Sequence, residues 1–123
     1  MTTTIPTDKV KFFRQGIEIL KHIPPLNKLT SRELDVLGYL LYYDYEYRTI
    51  EESLRGKLVF DYENRVKIRD FIGITEAGFN NLIKTLKTKG IIKGKQIIPK
   101  IKLDPENPEI IFKFKFDEEV KDW

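Results

Sequence analysis

Between Phe71 and Ile98 the chain reads FIGITEAGFNNLIKTLKTKGIIKGKQII, and no other stretch restricts the fold so tightly, because turn, capped helix, helix stop and β-hairpin follow one another without a break. Gly73 has the backbone freedom a tight inter-helix turn needs, and Thr75 is an N-cap whose hydroxyl can accept from an amide two or three residues on. A helix is therefore expected to begin at Glu76. Its apolar positions Phe79, Leu82, Ile83 and Leu86 fall at i, i+3, i+4 and i+7, a single stripe of a 3.6-residue period. Asn80, Asn81, Lys84, Lys87 and Thr88 are left for the opposite side. Gly90, following Lys87 and Lys89, supplies the stop.

The net charge of +3 conceals an uneven distribution. From Glu76 to Lys102 the basic residues are Lys84, Lys87, Lys89, Lys93, Lys95, Lys100 and Lys102, against Glu76 alone, so this part carries +6 and the rest −3. A lysine-rich solvated face would account for such a run. The run also coincides with the helix and hairpin, where basic groups would neutralise phosphates and release counterions.

At 123 residues the chain is read as one domain, able to bury about 60–70% of its unfolded surface without a disulfide or metal staple. There are no cysteines, no apolar stretch approaches the ~20 residues that span a bilayer, and MTTTIPTDKV lacks the apolar core of a signal peptide. The expectation is a protein of the cytoplasm or of a phage particle, with no membrane partner.

Thr7 to Ile23 reads as an amphipathic helix with Phe13, Ile17 and Leu20 on one stripe, ended by Pro24-Pro25. A hairpin folded at Arg14-Gln15-Gly16 competes with it, since VKFF and IEIL would also serve as strands. Thr30-Ser31-Arg32-Glu33 is a capping box, with Leu29 and Leu34 placed as a hydrophobic staple. The helix it starts is expected to run from Ser31 to about Asp44 and to bury Leu34, Leu37, Leu40 and Leu41. In the long connection from Tyr45 to Glu63, Thr49 to Leu54 suggests one helical turn closed by Gly56, and Lys57 to Phe60 a short strand. Asn64 to Ile72 is the next helix, with Val66, Ile68, Phe71 and Ile72 available for burial. Phe112, Phe114 and Phe116 alternate with Lys113 and Lys115 as a half-buried strand, and Ile97 to Leu103 is its expected antiparallel partner across the turn residues Asp104 to Pro108.

Enzymatic chemistry finds little support. Nucleophilic catalysis needs an activated Cys, Ser, Thr or Lys beside a base, and the chain has no Cys, two Ser and a single His22 at a helix end. Zinc draws nearly all its ligands from Cys and His, so no metal is expected; no Walker loop is present, and no cofactor is implied. Tyr39, Tyr42, Tyr43, Tyr45 and Tyr47 crowd into nine positions. They cannot all face one buried stripe, which leaves packing, a protein interface through Tyr42, Tyr43, Tyr45 and Tyr47, and base stacking as readings. Asn80 or Asn81 could bridge N6 and N7 of adenine, or be a tolerated surface residue. Lys84 suits phosphate better than a base edge.

The run from Arg65 to Ile92, RVKIRDFIGITEAGFNNLIKTLKTKGII, resembles the winged helix-turn-helix superfamily, in which a short helix, a "GIT" or "GIS" turn and a helix ending in a Lys-rich stretch before "KGII" precede a wing. With the LTSRELDVL helix ahead of it, the chain is similar to small winged-helix proteins encoded by bacteriophages, over about Leu29 to Phe116. The resemblance implies an α+β fold: a winged helix-turn-helix with a helical core, a C-terminal β-hairpin wing and an additional N-terminal helix. Residues 1–28 would form the helical extension and 29–123 the winged-helix domain.

The implied function is non-enzymatic binding of double-stranded DNA by a phage-encoded regulator or DNA-associated factor. Contacts are expected from Thr75, Glu76, Ala77, Asn80, Asn81, Lys84, Lys87 and Thr88 on the helix and from Lys93 and Lys95 beyond it. The wing tip Asp104 to Glu109 is acidic, however, and none of the arginines lies on this helix, so bidentate guanine readout is unavailable there. Those departures suit weak, AT-preferring or non-specific binding. They equally suit a virion structural or assembly protein that uses the fold for contacts with its own copies or with other phage proteins.

Overall fold

The structure is a computed structural model that describes residues 8–98 and 103–106. Four of the five α-helices among the described residues start at a side-chain cap, the exception being the helix that begins at Glu52. Asp8 accepts from the Lys11 amide at 2.8 Å and opens α1 (Lys9–Leu20). Thr30 and Glu33 form the reciprocal capping box that opens α2 (Ser31–Glu46), with Thr30 N donating to Glu33 Oε1 at 2.9 Å and Glu33 N to Thr30 Oγ1 at 3.3 Å. Then follow α3 (Glu52–Val59), α4 (Tyr62–Ile72) and α5 (Glu76–Thr88). The hairpin consists of β1 (Ile92–Lys93) and β2 (Gln96–Ile97).

Helix α2 is the centre of the molecule, packing against α1, α3, α4 and α5. Its leucines at 34, 37, 40 and 41 are all buried, as their spacing predicts. Phe13 and Ile17 of α1 enter the same core, as do Ile68 of α4, Phe79 and Leu86 of α5, and Ile91 and Ile92. The competing hairpin at residues 14–16 is not formed: α1 runs through Gly16, and the buried Leu103 lies over that glycine. Between α4 and α5 the turn depends on Gly73, which ends α4 in the left-handed region at φ 78° while its amide bonds Arg69 O.

Lys57 to Phe60 is not a strand but the end of α3 and its cap. A strand there would need a neighbour to pair with. The hairpin is antiparallel and two residues wide, with Ile92 opposite Ile97 and Lys93 opposite Gln96, and its Lys95 carbonyl meets Gly56 of α3 so closely that a Cβ on residue 56 would collide with it. Gly56 is thus not a stop, but the point at which α3 and the hairpin turn touch. The loop Gly94-Lys95 has φ 62° at Gly94, as a type II′ turn requires at its first central position.

Phe71 also departs from expectation. The inward row of α4 is Asn64, Ile68 and Ile72, four residues apart, and Phe71 falls at its margin in the last turn, 64% exposed and stacked on Tyr39 at 5.5 Å. Asn64, by contrast, is buried and satisfied, donating to Leu58 O at 2.7 Å and Tyr47 Oη at 3.2 Å. The expected pairing of Ile97–Leu103 with Phe112–Phe116 lies mostly outside the described residues; Ile97 itself pairs with Ile92.

Candidate nucleic-acid interface

The outer side of α5 is positioned by its cap and by its buried stripe. Thr75 Oγ1 accepts from Gly78 N at 3.0 Å, and Phe79 and Leu86 are buried, with Leu82 and Ile83 packed partly against the core. Ala77, Asn80, Asn81, Lys84, Lys87 and Thr88 are consequently exposed. Beyond the helix, Lys93 and Lys95 are exposed on the hairpin. Among the described residues, none of Lys84, Lys87, Lys93 or Lys95 has an ion pair.

Other residues of the predicted set are differently placed. Glu76, the one acid of the basic run, lies 3.6 Å from Arg69 of α4, so its charge is partly countered from the neighbouring helix. Thr88 Oγ1 donates back to Lys84 O at 3.0 Å, which leaves its lone pairs but not its proton for a ligand. Lys89 leaves the basic face altogether. Its ammonium donates to Glu33 Oε1 at 2.5 Å and to Lys28 O at 2.9 Å. Lys100 and Lys102 lie outside the described residues.

Glu33 is the hub on the inner side. Only 2% exposed, its carboxylate accepts from Thr30 N, Thr85 Oγ1 and Lys89 Nζ. Burial pushes its pKa up, but the hydrogen bonds from Lys89, the Thr30 amide and Thr85 outweigh burial and hold it below the ordinary carboxylate range. The start of α2 and the end of α5 are locked together at this carboxylate.

A groove of about 330 Å³ opens between α4, α5 and the Gly94-Lys95 turn. Its polar lining is Arg65, Asn80, Lys87 and Lys95, and no acid lines it among the described residues. Arg65 is the functional candidate that sequence reasoning missed. Arg65 and Arg69 are four apart and so share a side of α4, one turn from the helix start, which was the available signal.

The tyrosines are accounted for mainly by packing. Tyr43 is buried; Tyr42 and Tyr45 meet Phe13 with ring centroids 6.4 and 5.7 Å away, and Tyr47 accepts from Asn64. Arg48 sits 4.1 Å over the Tyr45 ring. Burial pushes the phenols of Tyr39, Tyr42 and Tyr43 above their ordinary pKa. All four positions expected at a partner interface are thus buried or half-buried within the chain itself.

Among the described residues, no helix is long and apolar enough to cross a membrane, and no group of three or more His, Cys, Asp or Glu side chains could hold a metal ion. Compared with protein-family models, with curated proteins and with solved structures, the chain finds no match in any of the three.

Proposed function

We propose that the chain is a non-enzymatic winged-helix protein, a phage-encoded regulator or DNA-associated factor, that binds double-stranded DNA through the outer side of α5 and the Gly94-Lys95 turn. The order α2, α4, turn, α5, hairpin supports the winged-helix reading, with α3 in the place of a strand. The observation that carries the binding reading is the set of four exposed lysines, at 84, 87, 93 and 95, without an ion pair among the described residues. Cations that no carboxylate compensates are available to phosphate. Asn80 and Asn81, exposed on the same helix, are the candidates for adenine contact.

Contact with about four to five phosphates would make log K fall against log salt with a slope of about −4. The experiment is a duplex titration at two salt concentrations with the oligomeric state measured in parallel. Binding that is absent at low salt, or indifferent to salt, overturns the proposal.

One observation favours a second reading, a virion or assembly protein. Phe71 is 64% exposed and stacks on Tyr39 beside a hollow of about 290 Å³ lined by Val10 and Ile72 and rimmed by the charged Lys11, Arg14, Arg32 and Asp35, an aromatic patch with a polar border that a protein partner could cover. Self-association lost on Phe71→Ala, in a protein with no affinity for duplex, would support that reading over the first.

A further inference from the structure

The six arginines differ in one respect. Arg14 bonds Asp35 at 2.8 Å and Glu18 at 2.6 Å; Arg32 donates to Ile72 O; Arg48 faces Glu106 at 3.6 Å. Arg55 donates to Ile50 O and Arg48 O, and Arg69 lies 3.6 Å from Glu76. Arg65 alone has no oxygen partner among the described residues: its Nε is buried without a hydrogen bond, and its guanidinium lies 6.0 Å from the centroid of the Tyr62 ring. The Nε is closed off from solvent, so what the guanidinium offers a ligand is its two terminal nitrogens, which no oxygen among the described residues engages.

Arg65 lines the groove described above, and so do Lys87 and Lys95. Three cations from three separate elements, α4, α5 and the hairpin turn, therefore border one concavity. The remaining lining includes Phe60 and Ile83, each half-buried and so still presenting apolar surface, with Asn80 on the rim. The volume of about 330 Å³ is that of a small-ligand site. An inorganic anion would use the cations and leave the apolar wall wet. A purely apolar ligand would leave the cations unanswered. A planar ring carrying a phosphate answers both.

We infer that the groove between α4, α5 and the Gly94-Lys95 turn is a nucleotide site, in which Arg65, Lys87 and Lys95 hold the phosphate and Phe60 and Ile83 bear the base. Arg65 is the anchor, because the two terminal nitrogens of its guanidinium can give paired hydrogen bonds to phosphate oxygens and no carboxylate among the described residues competes for them. Asn80 is placed to donate to or accept from the base edge. The ligand is a nucleoside phosphate, either free or as the phosphorylated end of a strand.

The test is calorimetric titration of the full chain at low salt with deoxyadenosine 5′-monophosphate, with deoxyadenosine and with inorganic phosphate. The nucleotide is expected to bind roughly tenfold or more tightly than either fragment, since each lacks one half of the interaction. Arg65→Gln is expected to weaken nucleotide binding by roughly tenfold or more, and Lys95→Gln, at an exposed position, to weaken it as well should the first variant fail to fold. Single strands bearing a 5′-phosphate or a 5′-hydroxyl then separate the sources: preference for the phosphorylated strand over the free nucleotide indicates a strand end, and equal affinity a free nucleotide. No nucleotide binding, equal binding of nucleotide and nucleoside, or binding indifferent to both substitutions overturns the inference. Duplex binding that fails while mononucleotide binding persists removes the proposed function and leaves this site; the reverse result removes this site alone.

Discussion

The polar residues near the end of helix α5 fall into two groups that look alike in composition and differ in electrostatic completion. On the inner side Thr85 and Lys89 both end on the buried Glu33, and every polar group of that junction has a partner. On the outer side Lys84 and Lys87 have none among the described residues, and the adjoining Arg65 and Lys95 share that condition. Lysine content alone therefore says little about binding. What matters is whether the fold supplies a carboxylate, and here a single acid separates a structural cation from its available neighbours.

The comparison breaks most forcefully at Glu33. Glu33→Ala leaves Lys89 partly buried without its counter-charge and returns the Thr85 hydroxyl to its other acceptor, Leu82 O, breaking the tie between α2 and α5, and should destabilise the fold by about 3–5 kcal/mol in denaturant unfolding. The pH dependence has a definite sign. Because the folded carboxyl titrates below the ordinary value of about 4.3, its contribution is present above that value and is lost as pH falls through the lower, folded one. The stability difference between the native chain and Glu33→Gln should accordingly shrink below about pH 4. A difference constant down to acid pH would show that the carboxylate is not the hub.

Gly56→Ala tests how the outer side is held. In an unobstructed helix this change would stabilise by about 1 kcal/mol. Here the new methyl meets a backbone carbonyl, that of Lys95, and not a flexible side chain. Overpacking of this kind costs about 1–3 kcal/mol, so a net loss is expected, with faster hydrogen exchange at Ile98, whose amide bonds Ile91 O at 2.8 Å. A gain in stability would mean that α3 and the hairpin are not locked at this point.

These two sites also show what could be read from the sequence and what could not. The caps at Thr30 and Thr75 and the leucine stripe of α2 were legible because each is decided within a few residues. The strand expected at Lys57 to Phe60 was misread because Gly56 looks like a stop locally, while its actual constraint comes from Lys95, far along the chain. Lys87 and Lys89 cannot be told apart from spacing, since the acid that claims Lys89 is 56 residues away. Arg65 was overlooked for the converse reason: its distinction is the lack of an oxygen partner, which only the folded arrangement reveals.

Salt dependence sharpens the comparison at the binding surface. Lys84→Ala with Lys87→Ala should flatten the slope of log K against log salt by about 2 and leave the unfolding midpoint nearly unchanged. Lys89→Ala should do the opposite, lowering stability while leaving the slope intact. If both changes flatten the slope equally, the inner ion pair opens on DNA and the division of α5 into two sides fails.

The smallest expected effect compares the two caps. Thr75→Ala removes the cap of α5 and should cost about 1 kcal/mol, in line with N-cap losses elsewhere. Thr30→Ala should cost less, about 0.5 kcal/mol, near the lower limit for such losses. Its hydroxyl accepts at a longer 3.3 Å, and the start of α2 keeps a second restraint, because Glu33 remains bound to the Thr30 amide, Thr85 and Lys89. Unfolding midpoints of the two variants measure the order directly. Should Thr30→Ala prove the costlier, the hydroxyl is what orients Glu33, and the capping box and the ion pair form one cooperative unit in which loss of either member releases the end of α5.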